Sequence, residues 1–127
     1  GFLARTNATA PIQQAYTGSF IPRLNREEVA RLIGSGVVLI DARAPRDFQD
    51  GHLDGAINIP VNTPDARRRD ALGPIAKDSR IVLYCQSAGC KFAETVAIKL
   101  ITDGFSNIAL FQGGWQEWQT HSTQTGK

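Results

Sequence analysis

Two short runs without a polar interruption, Val37-Val38-Leu39-Ile40 and Ile81-Val82-Leu83, constrain this chain more than any other feature. A strand with one face on a core and one in water alternates apolar and polar residues, whereas a strand buried on both faces does not. Each run gives way to a polar loop and then to a segment with helical spacing. Burial on both faces calls for helices on both sides of a sheet, and the repeated strand, loop and helix order makes that sheet mostly parallel.

Local signals place the remaining elements. A first helix is predicted over residues 26–33, with Asn25 as its cap, Glu28 as the capping-box partner, and Gly34 and Gly36 stopping it. A strand over 37–40 is followed by a short helix near 45–49, opened by Pro45, whose missing N–H costs little at that position. Then come a strand over 56–59, a polar helix over 65–72, a strand over 81–84, a helix over 91–102, a strand over 107–111 and a helix from Gly114. No internal repeat suggests a solenoid.

At 127 residues there is room for one hydrophobic core and no second lobe. The net charge of +2, from 14 basic and 12 acidic residues, is too slight to indicate a nucleic-acid partner, though it suits a small anionic substrate. The run Arg67-Arg68-Arg69 reads as the solvated face of a short helix. No stretch approaches the roughly 20 apolar residues that span a bilayer. The expected organisation is a linker or processed leading segment over residues 1–20, a domain over 21–122 and a tail over 123–127. A start at Gly1 without any methionine reads as a processed protein or a fragment of a longer one. The compartment stays open between export and cytoplasm, with residues 1–20 leaning towards export.

The chemistry-bearing segment is the loop Tyr84-Cys85-Gln86-Ser87-Ala88-Gly89-Cys90-Lys91-Phe92, set between a strand and a helix marked by Ala93, Val96, Ala97 and Leu100. The first amides of a helix lack intrahelical partners and carry the positive end of its dipole. A cysteine beside them is biased towards thiolate, and an anion delivered to it meets a ring of N–H donors. The bland alternative is that Cys85 and Cys90 are small buried hydrophobes. A disulfide between them is open to an oxidising compartment, but their spacing in one loop reads more naturally as reactive chemistry than as a staple.

A second segment repeats this grammar: strand-terminal Asp41 with Arg43, then Phe48, the Gly51-His52 pair, Gly55-Ala56, Asn58 and Pro60. Together with the Tyr84-Cys85 loop and the late Gly113-Gly114-Trp115 with Trp118, it resembles the rhodanese-like superfamily over roughly residues 24–120. The resemblance implies a single α/β domain with a mostly parallel central sheet flanked by helices. It also implies a sulfurtransferase in which Cys85 takes a sulfane sulfur from a small anionic donor such as thiosulfate. The sulfur is held as a persulfide and passed to a thiol or protein acceptor, or to cyanide in an assay. The amides of Gln86, Ser87, Ala88, Gly89, Cys90 and Lys91 would cradle that sulfur, the Ser87 hydroxyl would donate to it, and Lys91 would add charge. No metal or organic cofactor is required.

For Asp41 and Arg43 two readings stand: they brace or border the Cys85 pocket, or they pair with each other or with loop backbone to hold the fold. His52 is a conceivable general base, but in the resembling family that histidine is usually structural. Trp115 and Trp118, three apart on a helix, cover the core edge, and one could also wall the pocket.

The loop departs from the usual sulfur-transfer pattern in two ways. Five residues separate Cys85 from the cation Lys91, where the family's sulfur-transfer loop has four and often ends in arginine. The wider spacing resembles the related phosphatases and arsenate reductases, yet Lys91 lacks the planar fork of their arginine. The other departure is Cys90, which could resolve an oxidised Cys85 or simply pack inward. A thiol-dependent redox, arsenate-reductase-like or phosphatase-like enzyme, and a noncatalytic rhodanese-like binding module, are therefore the alternatives to sulfur transfer.

Overall fold

The computed structural model describes residues 21–125. The expected leading segment, residues 1–20, lies outside them. In chain order the elements are β1 (Arg23–Leu24), α1 (Arg26–Leu32), β2 (Val38–Asp41), α2 (Pro45–Asp50), β3 (Ile57–Asn58), α3 (Asp65–Ala71), β4 (Ile81–Tyr84), α4 (Phe92–Thr102), β5 (Ile108–Phe111) and α5 (Gly114–Thr125). The five strands form one sheet in the order β1-β5-β4-β2-β3, and every pairing is parallel.

The two apolar runs sit side by side at the centre, with Val38 opposite Ile81 and Asp41 opposite Tyr84. Because side chains alternate along a strand, each run feeds two cores. Ile40, Ile81 and Leu83 join Leu72 and the α4 residues Val96, Ala97 and Leu100 on one face. Leu39, Val82 and Tyr84 join Val29 of α1, Phe48 of α2 and Trp115 and Trp118 of α5 on the other. The helices change face where strand order reverses, between β3 and β4, as crossovers of one hand require.

Most predicted elements occur within a residue or two of their expected limits, and the differences have causes. Asn25 caps α1 with the full capping box to Glu28, and Gly34 and Gly36 follow at φ 93° and 90°. The strand predicted over 37–40 runs one residue later because Asp41 pairs with both Tyr84 and Asn58 despite its charge. β1 was not predicted: two residues, one of them Arg23, carry no periodic signal, and Leu110 opposite Arg23 recruits them. Among the described residues, no helix is long and apolar enough to cross a membrane.

The arginine run is a correction. Arg67 and Arg69 are exposed, but Arg68 is only 3% exposed. Its guanidinium meets Asp65 at 2.6 Å and Asp103, beyond α4, at 3.0 Å. Arg69 reaches the same carboxylate at 3.3 Å. Thus the run pins α3 to the end of α4 instead of merely solvating a helix. Burial alone would raise the Asp103 carboxyl, but hydrogen bonds from Arg68 and Arg69 hold it below its ordinary value.

A carboxyl held below its unfolded-state value contributes its full stability above about pH 4 and loses it as pH falls further. Asp103→Asn, which strips a buried guanidinium of one partner, is expected to lower the unfolding free energy by about 3 kcal/mol near neutral pH. In urea titrations, the gap to wild type should narrow below about pH 4.

Candidate active site

Asp41, Tyr84 and Phe111 lie level at the carboxyl ends of β2, β4 and β5. This is the rim where open parallel sheets gather their reactive groups. Cys85 is the first residue past β4, 3% exposed and packed with the α4 core. Its carbonyl accepts the Trp115 amide at 2.9 Å, and the Gln86 carbonyl accepts that of Gln116 at 2.9 Å. The first turn of α5 therefore spends its free amides on the cysteine loop. Gly114 permits this approach: it sits at φ 66°, and a Cβ there would run into the Cys85 carbonyl.

Beyond Gln86 the loop turns outward. Gln86, Ala88, Gly89 and Lys91 are exposed, while Ser87 and Cys90 are half-buried. The Cys90 amide donates to the Ser87 carbonyl at 3.1 Å, closing a turn that carries Cys90 back over Cys85. Lys91 is the N-cap of α4 but no side chain caps that helix, so its first amides remain available for an anion. A small cleft of about 70 Å³ lies here, lined by Cys85, Ser87, Cys90 and Lys91 together with Arg23 and Glu94.

Cys85 and Cys90 are joined by a disulfide, with Cα atoms 6.2 Å apart. The sequence favoured two reactive thiols over a bridge, and the loop's fold brings them to bonding distance. Spacing alone could not show it, because whether a five-residue interval can be bridged depends on the turn between Ser87 and Cys90. Lys91 projects outward with its side chain 81% exposed, its Nζ 4.0 Å from Glu94, which also binds Arg23 at 3.1 Å. Arg23 and Glu94 were missed in the sequence, since β1 and α4 bring them to the cleft from distant positions without any motif.

Asp41 and Arg43 meet each other beneath the loop, not at the cysteine sulfur. Asp41 is fully buried; Arg43 grips its carboxylate through Nε at 3.0 and 3.1 Å and a terminal nitrogen at 2.7 Å. The same guanidinium donates to the Gly51 carbonyl at 2.6 Å and to Gln86 Oε1 at 3.1 Å. Its Cζ lies 5.5 Å from the Trp115 ring. Burial would lower the Arg43 guanidinium, but the hydrogen bonds and charge of Asp41 raise it above its ordinary value. Both sequence readings thus meet in one arrangement: the residues pair with each other, and Arg43 extends that pair to the loop through Gln86. Asn58 fastens the same turn, its amide donating to the Asp41 and Arg43 carbonyls at 3.0 Å each.

His52 is engaged elsewhere. Its Nδ1 donates to the Phe48 carbonyl at 2.7 Å and its ring stacks on Phe48 with centroids 3.7 Å apart. It does not line the cleft. Trp115 and Trp118 cover the core edge: Trp118 meets Phe111 edge-on, and Trp115 lies so close to Gly51 that a Cβ there would stand 2.8 Å from its ring. Tyr84, read in the sequence only as the strand end that leads into the cysteine loop, receives the Leu53 amide on its hydroxyl at 3.0 Å. Burial pushes its phenol well above the ordinary range, so it serves as a neutral post between β4 and the His52 turn.

Comparison with known proteins agrees with this architecture. The family profile of the rhodanese-like domain matches residues 25–121. The thiosulfate:glutathione sulfurtransferase of Saccharomyces cerevisiae is 30% identical over 120 residues, which cover 85% of this chain and 85% of that protein. The HTH-type transcriptional regulator Rv0324 of Mycobacterium tuberculosis is 34% identical over 103 residues, which cover 80% of this chain and 43% of the regulator. This chain therefore spans less than half the length of that relative. Among solved structures, the BH2092 protein of Bacillus halodurans superposes with a TM-score of 0.72 at 22% identity, covering 89% of this chain and 82% of that one.

Removing Arg43 would leave the Asp41 carboxylate buried without its guanidinium. Arg43→Ala is expected to cost about 3–5 kcal/mol in chemical denaturation. Arg43→Lys should recover only part of it, because an ammonium cannot serve the carboxylate, Gly51 and Gln86 together.

Proposed function

The chain belongs to the rhodanese-like domain family, and from that membership we propose that it is a sulfurtransferase which moves a sulfane sulfur through a Cys85 persulfide. The observation that carries this reading is the placement of Cys85: at the carboxyl rim, held by its own backbone carbonyl to α5, and facing a cleft shared with the uncapped start of α4.

In the reduced protein the positive end of α4 favours the Cys85 thiolate. The thiolate attacks the outer sulfur of thiosulfate. The sulfur–sulfur bond of the donor breaks, and sulfite leaves with its electron pair. The charge that develops on the outer sulfur meets amides of the Gln86 to Lys91 loop, that of Cys90 excepted because it is bonded to the Ser87 carbonyl. An acceptor thiolate then takes that sulfur and returns Cys85 to the thiolate. Dividing the transfer in two replaces one difficult displacement with two easier ones.

The cleft favours a sulfur anion over a phosphate ester. An arginine at the loop's end would clamp two oxygens, but Lys91 brings a point charge on an exposed stem. Its contact with Glu94, exposed and at 4.0 Å, holds it only weakly, so it can turn towards an incoming anion.

Cys85→Ser is expected to lower thiosulfate-to-cyanide turnover of the reduced protein by about a thousandfold or more, and retained turnover would overturn the mechanism. Lys91→Ala should raise KM for thiosulfate by roughly three- to tenfold with little change in kcat, the pattern of a charge that helps capture the donor but does not take part in bond making. Unchanged kinetics would remove Lys91 from the site.

A further inference from the structure

The Cys85–Cys90 disulfide puts a second sulfur where the mechanism above needs only one. We infer that Cys90 is a resolving cysteine, and that with a low-molecular-weight thiol as reductant this chain reduces the sulfane sulfur of thiosulfate to sulfide. The inference rests on the sulfur-transfer reading of Cys85 and adds a branch to it.

Three observations converge. The first is reach: the Cα separation of 6.2 Å lies within the span of an ordinary bridge, and the bond from the Cys90 amide to the Ser87 carbonyl keeps the loop folded for it. The second is the target. The bond joins the two Sγ atoms, so the Cys90 thiolate is aimed at the inner sulfur of a Cys85 persulfide and not at its outer one. The third is asymmetry. Cys85 is 3% exposed with its carbonyl fixed by α5, whereas Cys90 is half-buried in a loop of exposed residues. An incoming thiol therefore meets Cys90 first, and Cys85 is the sulfur displaced.

The reaction closes as follows. Thiosulfate gives its outer sulfur to Cys85, and sulfite leaves. The Cys90 thiolate attacks Cys85 Sγ; the bond from Sγ to the outer sulfur breaks, and its electron pair departs with that sulfur, which takes up protons as hydrogen sulfide. The two cysteines are oxidised by two electrons and the sulfane sulfur is reduced by two. One external thiol then attacks Cys90 Sγ and releases Cys85 as thiolate, and a second thiol resolves the mixed disulfide. The sum is thiosulfate plus two thiols giving sulfite, hydrogen sulfide and one disulfide. A good acceptor competes with Cys90 for the same persulfide, so Cys90 sets how long the sulfur stays available for transfer.

The deciding experiment is a single turnover without external thiol. Reduced, desalted protein under anaerobic conditions is mixed with one equivalent of thiosulfate, and sulfite, sulfide and intact mass are followed. Wild type should release both sulfite and sulfide, in about equal amounts, and finish about 2 Da lighter than the reduced chain. Cys90→Ser should release sulfite alone and stop about 32 Da heavier. A wild-type chain that keeps the 32 Da adduct and releases no sulfide overturns the inference while leaving sulfur transfer standing. Sulfide released equally by both proteins overturns it too. If Cys90→Ser takes up no sulfur and wild type yields no sulfite, the sulfur-transfer reading itself falls and the resolving role falls with it.

Discussion

A guanidinium sealed under the carboxyl rim of the sheet organises everything above it. Arg43 satisfies the buried Asp41 carboxylate, holds the Gly51 carbonyl at the end of α2, touches Gln86 in the cysteine loop and lies beside the Trp115 ring of α5. Four separate segments thus meet on one planar cation. A charge so buried is tolerable only because almost every N–H it offers is used, and breaking the set is far costlier than never having built it. Its value to the site is positional: β2, the turn after α2, and the loop after β4 are held at one level, where the cysteine emerges.

The backbone of α5 provides the other half of that fixation. Two amides from its first turn point at the Cys85 and Gln86 carbonyls. They hold the stem of the loop, while the start of α4 leaves its own amides uncapped for an anion. One helix end holds the backbone of Cys85 and another leaves its amides facing the cleft beside it. The two tasks need opposite treatments of the same kind of group, satisfied in one case and left open in the other.

Legibility in the sequence followed the range of the interaction. The central strands and their burial were readable because β-branched runs at Val37–Ile40 and Ile81–Leu83 are local facts, and so was the capping box of Asn25 and Glu28. The position of Cys85 at a strand end was readable for the same reason. Arg68 was misjudged because its partner Asp103 is remote in the chain, and three adjacent arginines look alike until a fold decides which one turns inward. Arg23 and Glu94 escaped notice in the same way, each ordinary alone and meaningful only when β1 and α4 meet at the cleft. Asp41 and Arg43 were recognised as a pair, but the division of Arg43 among Asp41, Gly51 and Gln86 depends on three-dimensional convergence that spacing does not encode.

The glycine at position 114 has a consequence for the order of assembly. Cys85 and Cys90 leave the ribosome well before Gly114 and the α5 amides that hold the Cys85 carbonyl. Until that later segment docks, the stem of the cysteine loop lacks the two amides that hold the Cys85 and Gln86 carbonyls. A side chain at 114 would therefore tell only at that last docking, after the strands that carry the loop have been made.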